Sequence, residues 1–423
     1  MVANRAMTLP ELVLPTSPEI GLDEARSHIE DVALRPSTIG TVGLELEFHL
    51  VDLRCPVQRV EWPRVAALLA SVPELPGGSR LTVEPGGQVE LSSPPAPDVR
   101  SSIALLRRDR AILGAVAADA GFGLAGLGAD PARPSRRVNP GSRYVAMERY
   151  FDAAGFGHQG RAMMGSTAAL QVNLEAGPAN AWPQRLAHIH RLAPVLGAMS
   201  ACSPLLAGRA SGWASMRQQV WSSLDPGRCR PLAPGDQPAS AWADYAMSAP
   251  VMLTRDGPDA PAVPVLGQVT LEQWLSGAIL AGRAPGLEDL DYHLSTLFPP
   301  VRPRGYLEIR CVDAVPDRWW PALAAIIVTL IDDPVAADAA AEACAPVSDA
   351  WRLAARSGLN DPVVARAARR CVEIAAQHCP RELRGDVEAY ADLVSAGRTP
   401  GDHLSEVAAA RGPLAVLEEE ARA

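Results

Sequence analysis

The sequence TVGLELEFHL at residues 41–50 alternates apolar and polar side chains. Leucine or phenylalanine occupies each even position from 44 to 50, while Glu45, Glu47 and His49 occupy the odd positions. An alternation of period two is typical of a strand with one buried face and one polar face. The stretch therefore predicts a half-buried strand that carries two glutamates side by side on its polar face.

Three other stretches show the same alternation, flanked by glycine or proline turn signals: residues 88–91, 170–174 and 306–311. Helical spacing is found between them, around residues 22–33, 63–70, 103–120, 182–201, 271–281 and 321–331. Half-buried strands mixed with amphipathic helices predict an α+β fold, in which an antiparallel sheet packs on helices by one face.

The chain divides into three segments by composition. Residues 1–20 are rich in proline and lack periodicity, which predicts a loose N-terminal arm. Residues 21–333 contain the predicted strands and form the expected α+β body. Residues 334–423 are rich in alanine and arginine with helical spacing, which predicts a C-terminal helical segment packed on the same body.

Composition excludes several classes of protein. With 423 residues, of which 48% are hydrophobic, the chain can bury a large core, and its net charge of −9 without a basic stripe argues against a nucleic-acid partner. The longest apolar stretch, residues 323–331, is too short to span a membrane. Seven scattered cysteines without a CxxC pair fit a reducing compartment, so we expect a cytoplasmic protein without a membrane partner.

Lysine is absent from the sequence. A Walker A loop, a Schiff-base enzyme and a protein kinase each require a lysine, so all three are excluded. Any phosphate or carboxylate ligand must then be bound by arginine, a backbone N–H or a metal ion.

The acidic residues of the predicted strands share their polar faces. Glu45 and Glu47 lie on one strand, Glu90 on a second, and Glu308 on a third next to Arg310. If these strands are neighbours, four carboxylates converge, and each pair of like charges about 4 Å apart repels by roughly 4 kcal/mol at an effective dielectric constant of 20. The pattern therefore favours a bound cation.

Oxygen ligands without histidine or cysteine favour Mg²⁺ or Mn²⁺, and Mg²⁺ usually completes its shell with water and substrate phosphates. This points to a nucleotide substrate. The alternative is that each glutamate lies on an ordinary solvated sheet face, as in many alternating strands.

Further polar residues are candidates for ligand binding. Gln171 and Asn173 share one strand face and could bind a metal or a nucleotide, or form an ordinary surface pair. Arg217, near Trp221, could bind a substrate carboxylate in bidentate fashion, although a lone arginine is often a surface charge. Residues 121–128, GFGLAGLG, match the GxGxxG motif but follow a helical stretch instead of a strand, which argues against a dinucleotide site.

Taken together, the strands resemble the glutamate–cysteine ligase family, in its plant and bacterial branch, which is distantly related to glutamine synthetase. The stretches that carry the resemblance are GLELEF (43–48), LTVEPGGQVELSSPP (81–95), MMGSTAALQVNL (163–174), SMRQQVW (215–221), WADYAMSAPV (242–251), HLSTLFPPVRPRGYLEIRCVD (293–313) and GLNDP (358–362). They cover nearly the whole chain after about residue 22.

The resemblance implies a glutamine-synthetase-like body with a curved antiparallel sheet. It also implies ATP as co-substrate, two or more Mg²⁺ ions, and L-glutamate and L-cysteine as substrates. ATP would phosphorylate the γ-carboxylate of glutamate, and the amine of cysteine would attack the acyl phosphate. The composition further resembles actinobacterial members, which make γ-glutamylcysteine for ergothioneine synthesis.

Site residues follow from the same resemblance. The expected Mg²⁺ ligands are Glu45, Glu47, Glu84, Glu90 and Glu308, and four of these (all but Glu84) would form the catalytic set together with Arg310. The residues expected to bind the nucleotide are Gln171, Asn173 and Arg310. The residues expected to bind glutamate are Arg217 and Trp221, and Tyr245 is expected near cysteine. The sequence departs from the plant pattern at Ser166, where an arginine is expected.

Two other functions stay open at this point. A ligase of the same fold could use another amine, because residue types do not identify the pocket that binds the acceptor amine. A nucleotide-binding relative without catalytic activity is the second alternative, although all of the acidic positions are retained. The sequence leaves the oligomeric state open, and a monomer is allowed.

Overall fold

A computed structural model describes residues 20–233, 235–278 and 280–423. Apart from Ile20, the predicted N-terminal arm lies outside the described residues. The strands are β1 (Val42–Asp52), β2 (Arg80–Val83), β3 (Val89–Ser92), β4 (Phe122–Ala125), β5 (Ala169–Leu174), β6 (Leu205–Leu206), β7 (Arg209–Ala210), β8 (Leu253–Thr254), β9 (Val263–Pro264), β10 (Val301–Pro303) and β11 (Leu307–Asp313).

The α-helices are α1 (Leu22–Ala33), α2 (Trp62–Ser71), α3 (Val99–Asp119), α4 (Ser142–Ala153), α5 (Gly157–Ser166), α6 (Trp182–Met199), α7 (Met216–Ser222), α8 (Pro226–Cys229), α9 (Pro238–Ser248), α10 (Leu271–Leu275), α11 (Leu287–Leu294), α12 (Trp320–Asp332), α13 (Pro334–Cys344), α14 (Trp351–Ser357), α15 (Pro362–His378), α16 (Arg384–Ser395), α17 (Pro400–Arg411) and α18 (Pro413–Arg422). Short 3₁₀ helices span Ala179–Ala181, Ala345–Val347, Gly358–Asn360 and Arg381–Leu383.

One seven-stranded antiparallel sheet organises the molecule. Its strand order is β10-β11-β5-β1-β3-β2, and β4 pairs with the second half of β1. β1 therefore lies in the middle and pairs with β3, β4 and β5. The predicted antiparallel sheet is confirmed, and all four predicted strands lie in it.

The two faces of the sheet have different chemistry, as the alternation predicts. Leu44, Leu46, Phe48 and Leu50 of β1 are buried, and α3, α6 and α12 pack against the sheet. Each fully buried side chain of this size contributes about 1.5–3 kcal/mol through removal of apolar surface from water. α12 is buried along almost its whole length. The opposite face is left free for polar residues.

The chain after residue 333 is helical, as predicted. α13, α15 and α16 pack around α12 and α6, and α18 packs against β4. Within this layer the hydroxyl of Tyr390 donates a hydrogen bond of 2.8 Å to the carbonyl oxygen of Met199 in α6. The boundary placed at residue 333 between body and helical segment remains a prediction.

Some helices differ from the prediction. The helix expected over 271–281 ends at Leu275, since Gly277 adopts a φ of 104° that ends a right-handed helix. α4 and α5, which were not predicted, follow β4 in the chain and form one wall of the cavity described below. Within the described ranges, none of the helices is long and apolar enough to cross a membrane, and none of the seven cysteines forms a disulfide.

Candidate active site

The strand register brings the predicted acidic residues onto one face of the sheet. Glu45 lies opposite Gln171 on β5, and Glu47 lies opposite Glu90 on β3. Two strands away from β1, Glu308 on β11 lies opposite Asn173. The polar row thus crosses four adjacent strands.

Amide groups hold the carboxylates of β1 in place. The Nε2 atom of Gln171 donates to Glu45 at 2.9 Å and to Glu47 at 3.1 Å, and Asn173 Nδ2 donates to Glu45 at 2.8 Å. The backbone N–H of Ala169 donates to the second oxygen of Glu47 at 2.9 Å. Gln171 and Asn173 therefore contact the carboxylates directly, and their role toward a nucleotide remains a prediction.

Glu90 and Glu84 belong to the β2–β3 hairpin. Glu90 accepts hydrogen bonds from the hydroxyls of Thr82 at 3.0 Å and Ser92 at 2.7 Å. Glu84 lies at the start of the turn, where its N–H donates to the carbonyl of Gln88 at 2.8 Å. The hairpin thus adds two carboxylates to those of β1.

Arginines surround Glu308. Arg302 on β10 binds both of its carboxylate oxygens, at 2.6 and 3.0 Å, while Arg310 Nη1 lies 3.2 Å from Glu308 and donates to Gln171 Oε1 at 2.6 Å. Arg304 adds a longer contact of 3.4 Å. Glu308 is therefore already neutralised by protein groups, which distinguishes it from the glutamates of β1 and β3.

The ionisation of the glutamates follows from this arrangement. Burial raises the pKa of Glu45 to about 7 and that of Glu47 to about 8, with neighbouring carboxylates adding to both shifts. The pKa of Glu84 is likewise raised well above its usual value by burial and by Glu90. Burial would also raise the pKa of Glu308, but Arg302 and Arg310 outweigh it and lower the pKa to about 2. The charges of Arg217 and Arg310 oppose the rise in the pKa of Glu47, but in the described part of the chain Glu45, Glu47 and Glu84 form no salt bridge.

Three adjoining cavities lie over this face. The central cavity, of about 240 Å³, is bounded by the five glutamates and by side chains of α4 and α5 such as Tyr144 and Met163. The side pocket, of about 340 Å³, shares Arg217, Trp221 and Arg310 with it. The outer groove, of about 820 Å³, shares the residues Glu45, Glu84, Glu90, Tyr144 and Arg304 with the central cavity.

Arg217 and Trp221 project from α7 between the central cavity and the side pocket. Arg217 is only 3% exposed, and its Nη2 atom donates to the carbonyl of Arg310 at 2.8 Å. Its Nη1 atom and Nε1 of Trp221 are buried and have no hydrogen-bond partner among the residues that the structure describes. Buried donors of this kind are rare in folded proteins, so this pair fits an anionic ligand.

Two predicted positions lie outside the three cavities. The hydroxyl of Tyr245 donates to the carbonyl of Arg230 at 3.1 Å, so Tyr245 lies one layer behind the side pocket that Arg230 lines. Ser166 is buried, and its hydroxyl accepts a hydrogen bond of 3.0 Å from Arg59 Nη2. Arg59 is itself buried and lies 3.1 Å from Asp130, so the guanidinium at Ser166 is paired within the protein.

Sequence reasoning missed Arg302, Arg304 and Tyr144, which line the central cavity. The segment VRPRGYLEI contained a signal for Arg302, because Gly305 is a turn residue that lies three positions from both Arg302 and Glu308. In the structure Gly305 has a φ of 78°, and Arg302 pairs with Glu308. A hairpin centred on that glycine pairs the two residues across its strands. No comparable pattern precedes Tyr144.

The donor chemistry fits Mg²⁺. Among the described residues, no three Asp, Glu, His or Cys side chains converge closely enough to hold a metal ion by themselves. Mg²⁺ does not require this, because it usually takes one or two carboxylates and completes its shell with water and substrate phosphates. The residues that could hold it are those whose pKa values are raised, Glu45, Glu47 and Glu84, together with Glu90. The role of Glu308 as a further ligand stays a prediction.

Comparison with known proteins agrees with this geometry. The model of glutamate–cysteine ligase family 2 (GCS2) matches residues 41–420. The chain belongs to this family. It is 50% identical over 403 residues to glutamate–cysteine ligase EgtA of Mycolicibacterium smegmatis, covering 95% of each chain, and 48% identical over 391 residues to that of Mycobacterium tuberculosis, covering 92% and 90%.

More distant family members include the chloroplastic glutamate–cysteine ligase of Arabidopsis thaliana, which is 29% identical over 369 residues, with 83% of this chain and 70% of that protein covered. Among solved structures, the glutamate–cysteine ligase of Francisella tularensis in complex with AMP superposes with a TM-score of 0.55 at 14% identity, covering 92% and 88% of the two chains. This likeness shows that the fold is shared.

Proposed function

We propose that this protein is an ATP- and Mg²⁺-dependent ligase that joins the γ-carboxylate of glutamate to the amino group of cysteine. The observation that carries the proposal is the glutamate cluster, formed by Glu45, Glu47, Glu84 and Glu90, which makes no salt bridge within the described residues and lies between a wide groove and a pocket. At that pocket two buried donors have no hydrogen-bond partner among the same residues. Family membership and the names of the relatives at about half identity support the same reaction.

The outer groove is the proposed site of ATP. It is the largest of the three cavities, and the exposed arginines Arg35, Arg80 and Arg304 line it. Because the chain has no lysine, these guanidinium groups supply the positive charge that binds phosphates. The groove meets the central cavity at Glu45, Glu84 and Glu90, which would bring the terminal phosphate to the carboxylates. Bound Mg²⁺ would neutralise the charge that develops on the transferred phosphoryl group.

Glutamate would occupy the junction of the central cavity and the side pocket. Arg217 and Trp221 would bind its α-carboxylate there through Nη1 and Nε1. Arg310 lines both cavities, next to the glutamate side chains of the sheet. The γ-carboxylate would then face the terminal phosphate of ATP. Cysteine would enter through the side pocket, whose aromatic side chains include Phe298 and Trp351.

The reaction needs no protein nucleophile. An oxygen of the γ-carboxylate attacks the γ-phosphorus of ATP, the bond to the β-phosphate oxygen breaks, and ADP leaves. The cysteine amine then attacks the carbonyl carbon of the acyl phosphate, the bond from that carbon to the phosphate oxygen breaks, and phosphate leaves while the nitrogen loses a proton. The task of Arg310 and Arg217 is to position the reactants and to stabilise negative charge. We place the reaction in the cytoplasm, as a supply of γ-glutamylcysteine for ergothioneine synthesis.

Coupled ADP release tests the proposal. Purified protein with Mg²⁺, ATP and glutamate should release ADP in a cysteine-dependent manner, and the product should have the mass of γ-glutamylcysteine. Release with another amine instead of cysteine would keep the mechanism and replace the acceptor. If no amine supports ADP release although Mg²⁺ and ATP still bind, the catalytic assignment is refuted.

A further inference from the structure

Asp313, the last residue of β11, lies behind the proposed glutamate site. It is fully buried, and each of its oxygens accepts a hydrogen bond from a serine: Oδ2 from Ser203 at 2.7 Å and Oδ1 from Ser215 at 2.8 Å. The N–H of Cys202 also donates to Oδ2, at 3.0 Å. A carboxylate with three donors in a buried place is held in a single orientation.

The same two serines hold the first residues of α7. Ser215 caps this helix, since its hydroxyl accepts from the N–H of Gln218 at 3.1 Å. The hydroxyl of Ser203 accepts from the N–H of Arg217 at 3.0 Å. Because each hydroxyl donates its proton to Asp313, its oxygen is fixed as the acceptor for α7. Asp313 therefore orients both contacts from one point.

The charge of Asp313 also faces the side chain of Arg217. The distance from Arg217 Nη1 to Asp313 Oδ1 is 3.8 Å, which is too long for a hydrogen bond but short enough for attraction between buried charges. Burial lowers the pKa of Arg217, whereas the carboxylates of Asp313 and Glu47 raise it. The two carboxylates thus favour the charged form of Arg217, whose Nη1 atom has no hydrogen-bond partner among the described residues.

We propose that Asp313 is a positioning residue for glutamate: through Ser203 and Ser215 it fixes the start of α7, and by its charge it holds the guanidinium of Arg217 in place behind the proposed site of the substrate carboxylate. This inference rests on the proposed function, because it takes Arg217 as the group that binds glutamate. Asp313 does not line any of the three cavities, so it acts through Arg217.

Kinetics of Asp313→Asn provide the first test. This variant keeps the size of the side chain, which matters because the Asp313 carboxyl carbon lies within 2.6 Å of where a Cβ on Gly128 would be. The KM for glutamate should rise about tenfold, in keeping with the loss of a charge-assisted interaction, while the KM for ATP stays unchanged and kcat falls less. In an Arg217→Gln background, Asp313→Asn should raise the KM for glutamate no further.

Asp332→Asn is the matched control, since Asp332 is also a largely buried aspartate paired with an arginine, at 2.6 Å from Arg185. It should lower the melting temperature without changing the KM for glutamate. If Asp313→Asn behaves in the same way, or if its effect adds fully to that of Arg217→Gln, Asp313 is structural and the inference is wrong.

Amide hydrogen exchange separates this inference from the proposed function. Asp313→Asn should speed exchange at the N–H groups of Arg217 and Gln218, whether or not the protein uses glutamate. Unchanged exchange in α7 would overturn the inference. A different outcome is faster exchange in the variant together with no ADP release by the wild-type protein. That outcome would refute the proposed function but would leave the positioning of α7 by Asp313 in place.

Discussion

Glu47 and Glu308 are the same residue type on one sheet face, but their surroundings favour opposite charge states. Glu47 has a pKa raised to about 8 by burial and by Glu90, while Arg302 and Arg310 overcome burial and lower the pKa of Glu308 to about 2. In the absence of a cation, Glu47 is therefore largely protonated at neutral pH and Glu308 is ionised.

Substitution by glutamine should separate these two states. Glu47→Gln imitates the protonated form, so we expect a free energy of unfolding within about 1 kcal/mol of wild type. Glu308→Gln leaves the buried guanidinium of Arg302 without its charged partner and should cost about 3 kcal/mol. Both variants should lose turnover by orders of magnitude. Chemical denaturation and ADP release measure the two effects. Near-normal turnover in Glu47→Gln would contradict its assignment as a Mg²⁺ ligand.

His190 on α6 is a second residue with a defined dependence on pH. It is buried, neither ring nitrogen has a hydrogen-bond partner in the described part of the chain, and burial lowers its pKa to about 4. The unfolded chain binds a proton near pH 6.5 that the folded chain does not take up. This histidine therefore reduces stability as the pH falls from about 6.5 toward 4.

His190→Leu should remove that loss. At pH 5 the variant should gain about 2 kcal/mol relative to wild type in addition to any difference seen at pH 8, because leucine has no proton to bind. Denaturant titrations at both pH values measure this difference. His158→Leu, at an exposed position on α5, is the control and should leave the pH profile unchanged. Equal gains at pH 5 and pH 8 would mean that packing, and not protonation, explains the effect.

At the scale of elements, the β2–β3 turn EPGGQ positions Glu84. Gly87 adopts a φ of 84°, and a Cβ on Gly86 would lie 2.4 Å from the carbonyl oxygen of Gly165 at the end of α5. The turn therefore packs directly on the backbone of α5, and only glycine fits at position 86.

Gly86→Ala should move this turn away from α5 and displace Glu84. We expect turnover to fall at least tenfold and stability to decrease by about 1–3 kcal/mol, as in other overpacked sites. Gly385→Ala on α16 is the control, because a Cβ there meets nothing within 4 Å among the described residues, and it should raise stability by up to about 1 kcal/mol. Unchanged ADP release by Gly86→Ala would show that the position of this turn does not matter.

Four strands could be predicted from the sequence because apolar and polar residues alternate along them, which indicates the buried face. Observed β1, Val42–Asp52, agrees with the prediction for 41–50 within two residues. β2, β4 and β10 of this sheet were not predicted. With three residues β10 is too short to show a period, and β4 is buried at all four positions, so its side chains do not alternate. The pairing of Arg302 with Glu308 and the approach of α7 to Asp313 depend on tertiary contacts, which residue spacing alone does not encode.

At the scale of the whole molecule, the three cavities adjoin one another along the polar face and share lining residues. Mg²⁺ with a non-hydrolysable ATP analogue should occupy the groove and the glutamate cluster together. Binding to the folded state alone stabilises it by about 2.7 kcal/mol at a ligand concentration of 100 Kd. Thermal unfolding should therefore shift upward, and a chelator should reverse most of the shift.

The variant Glu45→Gln with Glu90→Gln is the control for this experiment. It should keep the fold but lose the Mg²⁺-dependent part of the shift, because two of the four carboxylates in the cluster are gone. An analogue that stabilises wild type and this variant equally, with or without Mg²⁺, would show that the cluster does not hold the metal.

The central position of β1 limits how this protein can change during evolution. The strand carries the core on its even positions and the glutamates on its odd positions, and it is paired with three neighbours. Inserting or deleting one residue there would exchange the two faces, placing Glu45 and Glu47 in the apolar core and Leu44 and Leu46 in the cavity. Surface loops can gain or lose residues one at a time, but the length of β1 can change only in steps of two.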